Sequence, residues 1–491
     1  MRILLISPPF YRILGFYNRY YPLAIVSIGT VLRKLGHKVL VYDADFTAAV
    51  RDINFDELSL RYSDYSESLK NYEHPVWREA IGIIDDFKPD MVGLTVYTTM
   101  AASAFHLAGL CKAVAPRCFT VMGGPHAAVK ADEILRISAD TDFVLRGEGE
   151  KNLPVLIDHL DRKLPLNGVP GLSFRHDGLP VHNPAAEPTR DLDNFPIPDR
   201  GLLMNESRYT PEDMGLIMSS RGCPYNCSYC ASETRRVSYR SVNHVIGEIK
   251  EVKKRYGTFQ FTFKDDSFPV DARRVKEFCA RLIEERLKIN WECNSRVNLL
   301  EASLVAAMKK AGCNFIKVGI ESGSPRILKK MNKGITREQC LAASKLLRKT
   351  GIHWSGYFMM GVPGETEEDI LATLRFMYEL QPDLALLSVY EPFPGTAMFA
   401  EGIERGLVYK EMTLTQYYRL SPAHYFKTDP QIQTDCIPQK RYLELEKTLM
   451  DAFHAYNKEL GRVFKMIRAR TKSYLYQPRS FLDDIRKYLS Y

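Results

Sequence analysis

Three cysteines, Cys223, Cys227 and Cys230, stand in a C-x3-C-x2-C array within SSRGCPYNCSYCAS, residues 219–232. The spacing is too short for a whole strand or helix to separate the thiols, and it suits three thiolates converging on one inorganic group. A four-iron, four-sulfur cubane held by only three cysteines keeps one iron open, and an open coordination position is where a metal site does chemistry. A zinc knuckle and a disulfide with a spare thiol are the other readings of these residues. Zinc asks for a fourth Cys or His at finger spacing, and the nearest downstream His is His244, with no Cys beside it.

From Gly215 onward, apolar strands alternate with helical periodicity. Strands read at GLIMSS, FQFTFKDD, NWECNS, NFIKVGIES, HWSGYFMMG and LALLSVYEPF, with helices near 241–255, 271–287, 301–311, 336–350 and 366–380. About six βα units in a row predict a parallel sheet curved into a partial (β/α)6 barrel, with function gathered at the strand carboxyl ends. The cluster loop follows the first of these strands. The later ends carry Lys264-Asp265-Asp266, Asn294-Ser295-Arg296, Glu321-Ser322-Gly323, Gly361 to Glu365 and Tyr390-Glu391-Pro392. Charges stacked at one mouth are costly unless a polar ligand uses them, so a cofactor with amine, carboxylate and ribose groups fits there. Each carboxylate singly also reads as a helix N-cap or a salt bridge, and Thr366 with Asp369 reads as a capping box.

Residues 1–160 alternate in the same way, from MRILLIS through HKVLVYDA, MVGLTVY and CFTVMGG to DFVLRGEGE, with helices at 23–35, 77–87, 101–114 and 130–137. This α/β pattern predicts a doubly wound, Rossmann-like sheet that binds ligands at its strand carboxyl ends. No G-x-G-x-x-G follows the first strand, which counts against a dinucleotide. Residues 161–212 read as a linker with a hairpin at HDGLP, 213–400 as the barrel, and 401–491 as a helical basic region interrupted at Pro478.

The cysteine stretch resembles the radical S-adenosylmethionine (radical SAM) superfamily, whose cluster motif is C-x3-C-x-aromatic-C, with Tyr229 as the aromatic. GIESGS and GVPGET resemble that family's fourth- and fifth-strand motifs. The resemblance implies a [4Fe-4S] cluster on Cys223, Cys227 and Cys230. It places S-adenosylmethionine with its amine near Asp265 and Asp266, its carboxylate near Arg296, its ribose near Glu321 or Ser322 and its adenine near Met360 and Gly361. In that family the cofactor is split by one electron to a 5'-deoxyadenosyl radical. Upstream, the prolines after strand one, PLxxxxxxxxLRKxGHxVxVxD, GGPH and RGEGE resemble the cobalamin-binding domain of many such enzymes. That likeness implies cobalamin contacts at Ser7, Pro8, Thr95, Tyr97, Thr98, Thr99, Gly123, Gly124, His126, Gly147, Glu148 and Gly149. D-x-H-x-x-G, which supplies a lower cobalt ligand elsewhere, is absent, so base-off cobalamin without a protein histidine is expected. A satisfied polar loop residue is the plainer reading of His126.

Together these likenesses imply a class B cobalamin-dependent radical SAM methyltransferase. It would abstract hydrogen with the deoxyadenosyl radical and transfer a methyl group from methylcobalamin to an unactivated carbon. Oxidative cyclisation, hydroxylation or C–C bond formation on the same cofactors is the alternative, and a non-catalytic iron–sulfur redox sensor is the distant one. Relatives act on peptides, tetrapyrroles, lipids and small natural products, and nothing in the sequence selects among them. A flavodoxin or ferredoxin is the expected electron donor. The 491 residues allow two or three domains, and 45% hydrophobic with 26% charged residues is ordinary for a globular chain. Ten cysteines, mostly scattered singly, point to a reducing cytoplasm, a cluster with an open iron would also need anaerobic conditions, and no run of about 18 apolar residues occurs. Of the net +8, residues 462–491 hold eight Lys or Arg against two Asp, a segment expected to face water or to contact an acidic partner or membrane surface. Cys279, Cys293, Cys313, Cys340 and Cys436 show no second cluster spacing; Cys293, at a strand end, reads as a buried thiol or a hydrogen donor.

Overall fold

In the computed structural model the described residues are 1–17, 20–47, 61–232, 234–419, 436–476, 481–482 and 485. Pro478 and the charges of Arg479, Arg486 and Lys487 lie outside them. The chain divides into two compact units.

The first unit holds a seven-stranded sheet in the order β2-β1-β3-β4-β5-β6-β7. Its strands are β1 (Arg2–Ser7), β2 (Lys38–Asp43), β3 (Met91–Thr95), β4 (Phe119–Gly123), β5 (Phe143–Leu145), β6 (Leu172–His176) and β7 (Leu179–His182). The first five run parallel, because helices 23–34, 75–87, 101–114 and 125–137 carry the chain back between them. A 2-1-3-4-5 order reverses between β1 and β3, and the crevice at that switch point is where such sheets bind ligands. The HDGLP hairpin forms and adds β6 and β7 antiparallel to β5, so the stretch read as a linker extends the first sheet. The helix read as starting at Lys130 begins at Pro125 and kinks at Lys130. Proline at the first helical position needs no amide partner, so GGPH is itself the helix start.

Among the described residues the first unit also takes in 393–395 and 409–419, which return to it after the second unit has begun. The region read as one C-terminal block from 401 is therefore shared between the two units.

The second unit holds β8 (Leu216–Ile217), β9 (Ser220–Arg221), β10 (Ser238–Tyr239), β11 (Gln260–Phe263), β12 (Asn290–Ser295), β13 (Cys313–Glu321), β14 (His353–Met360) and β15 (Leu384–Val389). Six of these form an all-parallel sheet in simple succession, β8-β11-β12-β13-β14-β15, so every carboxyl end opens on one rim. Its core is aromatic: Phe263, Phe268, Phe278 and Trp291 stack on one another with centroids 4.7–5.9 Å apart. Such pairs add about 0.5–1.5 kcal/mol each beyond simple burial.

An open sheet leaves two edges, here β8 and β15. Helix Gln439–Lys458 lays Tyr442, Leu445, Leu449, Phe453 and Tyr456 into the core beside β15. From that helix Asn457 reaches the strand: its Nδ2 donates to the carbonyl of Ala385 at 2.7 Å, and its Oδ1 accepts from the same residue's N–H at 2.9 Å. One amide side chain thus replaces the missing neighbour strand. Asn457→Ala should cost about 1–3 kcal/mol for each orphaned backbone group, read as a lower urea midpoint.

Candidate functional site

The cysteine loop is closed at its base by a two-stranded ribbon, in which β9 pairs antiparallel with β10. Gly222, at φ +94°, is the pivot, because a Cβ there would lie 2.3 Å from the carbonyl oxygen of Arg236. Cys223 N–H donates to the carbonyl of Thr234, and Cys230 N–H to that of Cys227. Cys227 is buried, Cys223 half-buried and Cys230 exposed. Loss of water around the two sulfurs raises the Cys223 and Cys230 thiols, although Cys230 as a whole residue stays open to solvent, and the charges of Asp266 and of the other cysteines add to the rise. Among the described residues no three His, Cys, Asp or Glu side chains converge on a single-ion site. A cubane takes one thiolate per iron at separate corners and asks for a wider spread of sulfurs, so three free thiols on one loop fit it.

The strand ends beside this loop divide into residues that hold the fold and residues left open. Asp265 is fully buried and accepts from Ser219 N–H and Oγ at 2.6 Å each and from Ser220 Oγ at 2.7 Å. It therefore fixes the strand leading into the ribbon. The carboxylate that faces outward at this end is Asp266, which accepts from Ser232. Ser322 also turns inward, meeting Thr373 Oγ1 at 3.1 Å and the N–H of Ser324 at 3.1 Å. Arg296 is buried, with its guanidinium 3.8 Å over the ring of Tyr225 and its Nη1 donating to Cys227 Sγ at 3.3 Å.

Glu321 sits at a register shift between β13 and β14 and holds φ +67°, a left-handed backbone that costs a non-glycine residue about 1–3 kcal/mol. That twist sends its carboxylate onto Lys333 Nζ at 2.6 Å, and the same ammonium donates to Tyr229 OH at 3.0 Å. Met360 is buried and Gly361, at φ +81°, donates its N–H to Glu365. Glu365 Oε2 takes that bond at 2.6 Å and a second from Val362 N–H at 3.2 Å, while its Oε1 is buried without a partner. Burial pushes this carboxyl up to about 8. Burial alone raises Glu391, at the end of β15, to about 7. Cys293 is a core residue against Cys313, and burial raises its thiol well above the ordinary range.

The sequence reading passed over KKMNKG, residues 329–334. Its short helix ends at Lys330, and the next residues grip the cysteine loop. The carbonyls of Lys330 and Met331 accept from Ser228 Oγ and N–H, Asn332 Nδ2 donates to the carbonyl of Asn226, and Lys333 reaches Tyr229. The signal was the Asn-Lys-Gly run, a turn composition that demands left-handed backbone; Asn332 has φ +48° and Gly334 φ +64°.

In the first unit the predicted cobalamin contacts gather at the ends of β1, β3, β4 and β5. Ser7, the last residue of β1, and Pro8 after it are buried. Thr95, the last residue of β3, and Thr98 and Thr99 beyond it are half-buried, and Tyr97 between them is 48% exposed. Gly123 and Gly124 close β4, where a Cβ on Gly124 would press on the Val96 backbone at 3.0 Å. Gly147, Glu148 and Gly149 lead into the helix after β5, and Glu148 accepts from Thr189 N–H. His126 is 1% exposed, with Nδ1 3.2 Å from Thr98 Oγ1 and Nε2 3.1 Å from Tyr417 OH. Tyr417 in turn donates to Glu133. Its oxygen therefore accepts from an Nε2–H tautomer, and Nδ1 accepts from Thr98. Burial pushes the imidazole down to about 3, so the ring is neutral. Glu133 pairs with Lys130 at 2.9 Å, and Lys130 also donates to the carbonyl of Lys410.

Comparison with known proteins follows this division. Residues 13–157 match the B12 binding domain and residues 217–377 the radical SAM superfamily. A relative named an uncharacterized methyltransferase in Pyrococcus horikoshii is 32% identical over 451 residues, covering 90% of this chain and 92% of that protein. An anaerobic magnesium-protoporphyrin IX monomethyl ester cyclase of Rubrivivax gelatinosus is 31% identical over 65% of this chain and 59% of its own length. The structure of the radical S-adenosylmethionine methyltransferase TsrM from Kitasatospora setae, with cobalamin and a [4Fe-4S] cluster bound, superposes with a TM-score of 0.69 at 19% identity. It covers 96% of this chain and 99% of that one, which is a likeness of fold.

Two outcomes test this geometry. Lys333→Met strands the buried Glu321 carboxylate and should cost about 3–5 kcal/mol by urea unfolding, much of it recovered in Lys333→Met/Glu321→Met. Glu365 is raised from 4.5 to about 8 in the folded chain, so its contribution to stability is complete below pH 4.5 and is lost as pH rises through 8. Glu365→Gln should flatten the stability profile across that window.

Proposed function

This chain belongs to the cobalamin-binding radical S-adenosylmethionine enzymes, and we propose that within them it is a methyltransferase acting on an unactivated carbon. The observation that carries the reading is the three-cysteine loop, pinned by its ribbon at the rim of an all-parallel sheet, in a chain alike over nine-tenths of its length to a protein named a methyltransferase. Cys223, Cys227 and Cys230 would hold a [4Fe-4S] cluster. Asp266, Glu321, Met360 and Gly361 would border S-adenosylmethionine, with Arg296 beside the cluster sulfur of Cys227, while Asp265 and Ser322 would support from behind. Ser7, Pro8, Thr95, Tyr97, Thr98, Thr99, Gly123, Gly124, His126, Gly147, Glu148 and Gly149 would hold cobalamin. When bound, these groups supply one-electron cleavage of a sulfonium and a transferable methyl group.

The chain's own residues prepare that chemistry. Lys333 Nζ holds the Tyr229 hydroxyl and so fixes the segment between Cys227 and Cys230. Glu365 orders the Gly361 and Val362 amides, shaping the end of β14 where adenine is expected. Both ring nitrogens of His126 are engaged, which supports base-off cobalamin without a protein histidine. A low-potential donor of the flavodoxin or ferredoxin kind and a cytoplasmic setting complete the proposal. No helix among the described residues is long and apolar enough to cross a membrane. In the basic C-terminal region Arg462 pairs with Glu459 and Lys465 with Asp383, so part of that charge is used within the chain.

The likeness to the ester cyclase favours a second reading, radical chemistry without methyl transfer. Anaerobic protein given reductant, cobalamin and S-adenosylmethionine should form both 5'-deoxyadenosine and S-adenosylhomocysteine. Deoxyadenosine alone would count for the second reading. Cys223→Ala, Cys227→Ala and Cys230→Ala should each abolish deoxyadenosine formation and lower bound iron.

A further inference from the structure

The hydrogen bonding of Arg296 runs into the protein and to the sulfur of Cys227. Its Nη1 donates to Cys227 Sγ at 3.3 Å, its Nη2 to the carbonyl of Lys333, and its Nε to Asn298 Oδ1 at 3.4 Å. All three nitrogens are engaged inside the protein. The Tyr225 ring, from the same loop, covers the guanidinium at 3.8 Å, and the residue is 6% exposed. A buried, stacked guanidinium is held in orientation and little screened by solvent. Asp266 lies on the other side of the electrostatic balance, its charge felt by Cys223 and Cys230. The three thiols therefore stand in unlike surroundings: Cys227 takes the direct hydrogen bond from the cation, while the charge of Asp266 raises Cys223 and Cys230, at Cys223 against a smaller opposing effect of Arg296.

We propose that Arg296 is a positioning residue that sets the reduction potential of the cluster, through a charged hydrogen bond to the sulfur of Cys227. Hydrogen bonds to cluster sulfurs and net local charge are among the levers that place these centres on the potential scale. A donor and a positive charge at one thiolate stabilise the form carrying one more electron, which comes from the low-potential donor, and so raise the midpoint. This role differs from the carboxylate contact that the family likeness implied for Arg296. It rests on the cluster assignment made above.

The test is a mediator titration with dithionite, followed by the electron paramagnetic resonance of the reduced cluster in full-length protein without S-adenosylmethionine. Arg296→Gln should lower the ratio of reduced to oxidised cluster about tenfold at fixed potential, a downward shift of about 59 mV for one electron. Arg296→Lys, which keeps the charge and loses the planar fork, should fall between. Tyr225→Leu, which frees the guanidinium while leaving it in place, should shift the midpoint in the same direction by less. An unchanged midpoint in Arg296→Gln, with weaker S-adenosylmethionine binding, would overturn the proposal in favour of a carboxylate ligand. Absence of any cluster signal in the parent protein would overturn the cluster assignment and this inference with it.

Discussion

The buried pair of Lys333 and Glu321 joins two neighbouring pieces of chain and ties them to the cysteine loop, which lies about a hundred residues earlier. Their side chains are only 6% and 10% exposed, so neither charge has water to fall back on. A pair of this kind adds little net stability compared with apolar residues of the same shape, but it is strict about geometry. Here it fixes the twisted end of β13, the turn after helix 325–330 and, through the tyrosine hydroxyl, the middle of the cysteine loop. The loop has almost no secondary structure of its own, so its shape is imposed from outside by these contacts and by the ribbon at its base.

Periodicity made the architecture legible. Strand and helix alternation located both parallel sheets and the carboxyl ends where the chemistry gathers, because burial on both faces leaves an unmistakable apolar run. Which side chain at each end points out was not legible. Asp265 and Asp266 are adjacent and chemically identical, and only the three-dimensional neighbourhood of Ser219 and Ser220 turns one inward. The grip of residues 330–333 was equally hidden, since it uses backbone carbonyls and an amide that any turn could offer. The helix start at Pro125 is legible from the proline rule, because proline at the first helical position needs no amide partner.

Acidic groups in the second unit fall into two classes. Glu292 and Asp369 face Lys317 and Arg326 and are held low despite the counteracting effect of burial. In Glu365 and Glu391 burial prevails and both are held high, at Glu365 over the amides of Gly361 and Val362 and the charge of Arg326, which pull the other way. The second class lies at the ends of β14 and β15, on the same rim as the cysteine loop. A rim whose carboxyls are raised in this way carries less negative charge near pH 7 than its composition suggests.

The returning segment carries a consequence for how this protein could be divided. Residues 409–419 supply Tyr417 and the Lys410 carbonyl to the buried polar cluster of the first unit, although the chain has by then already built most of the second. A gene cut near residue 213 would yield an amino-terminal fragment whose Glu133 and His126 face a hole where a phenol belongs. Modular shuffling of the two halves between relatives is therefore constrained: a transplanted front half needs its own late-sequence strap, and chimeras that respect only the obvious junction inherit a mismatched one.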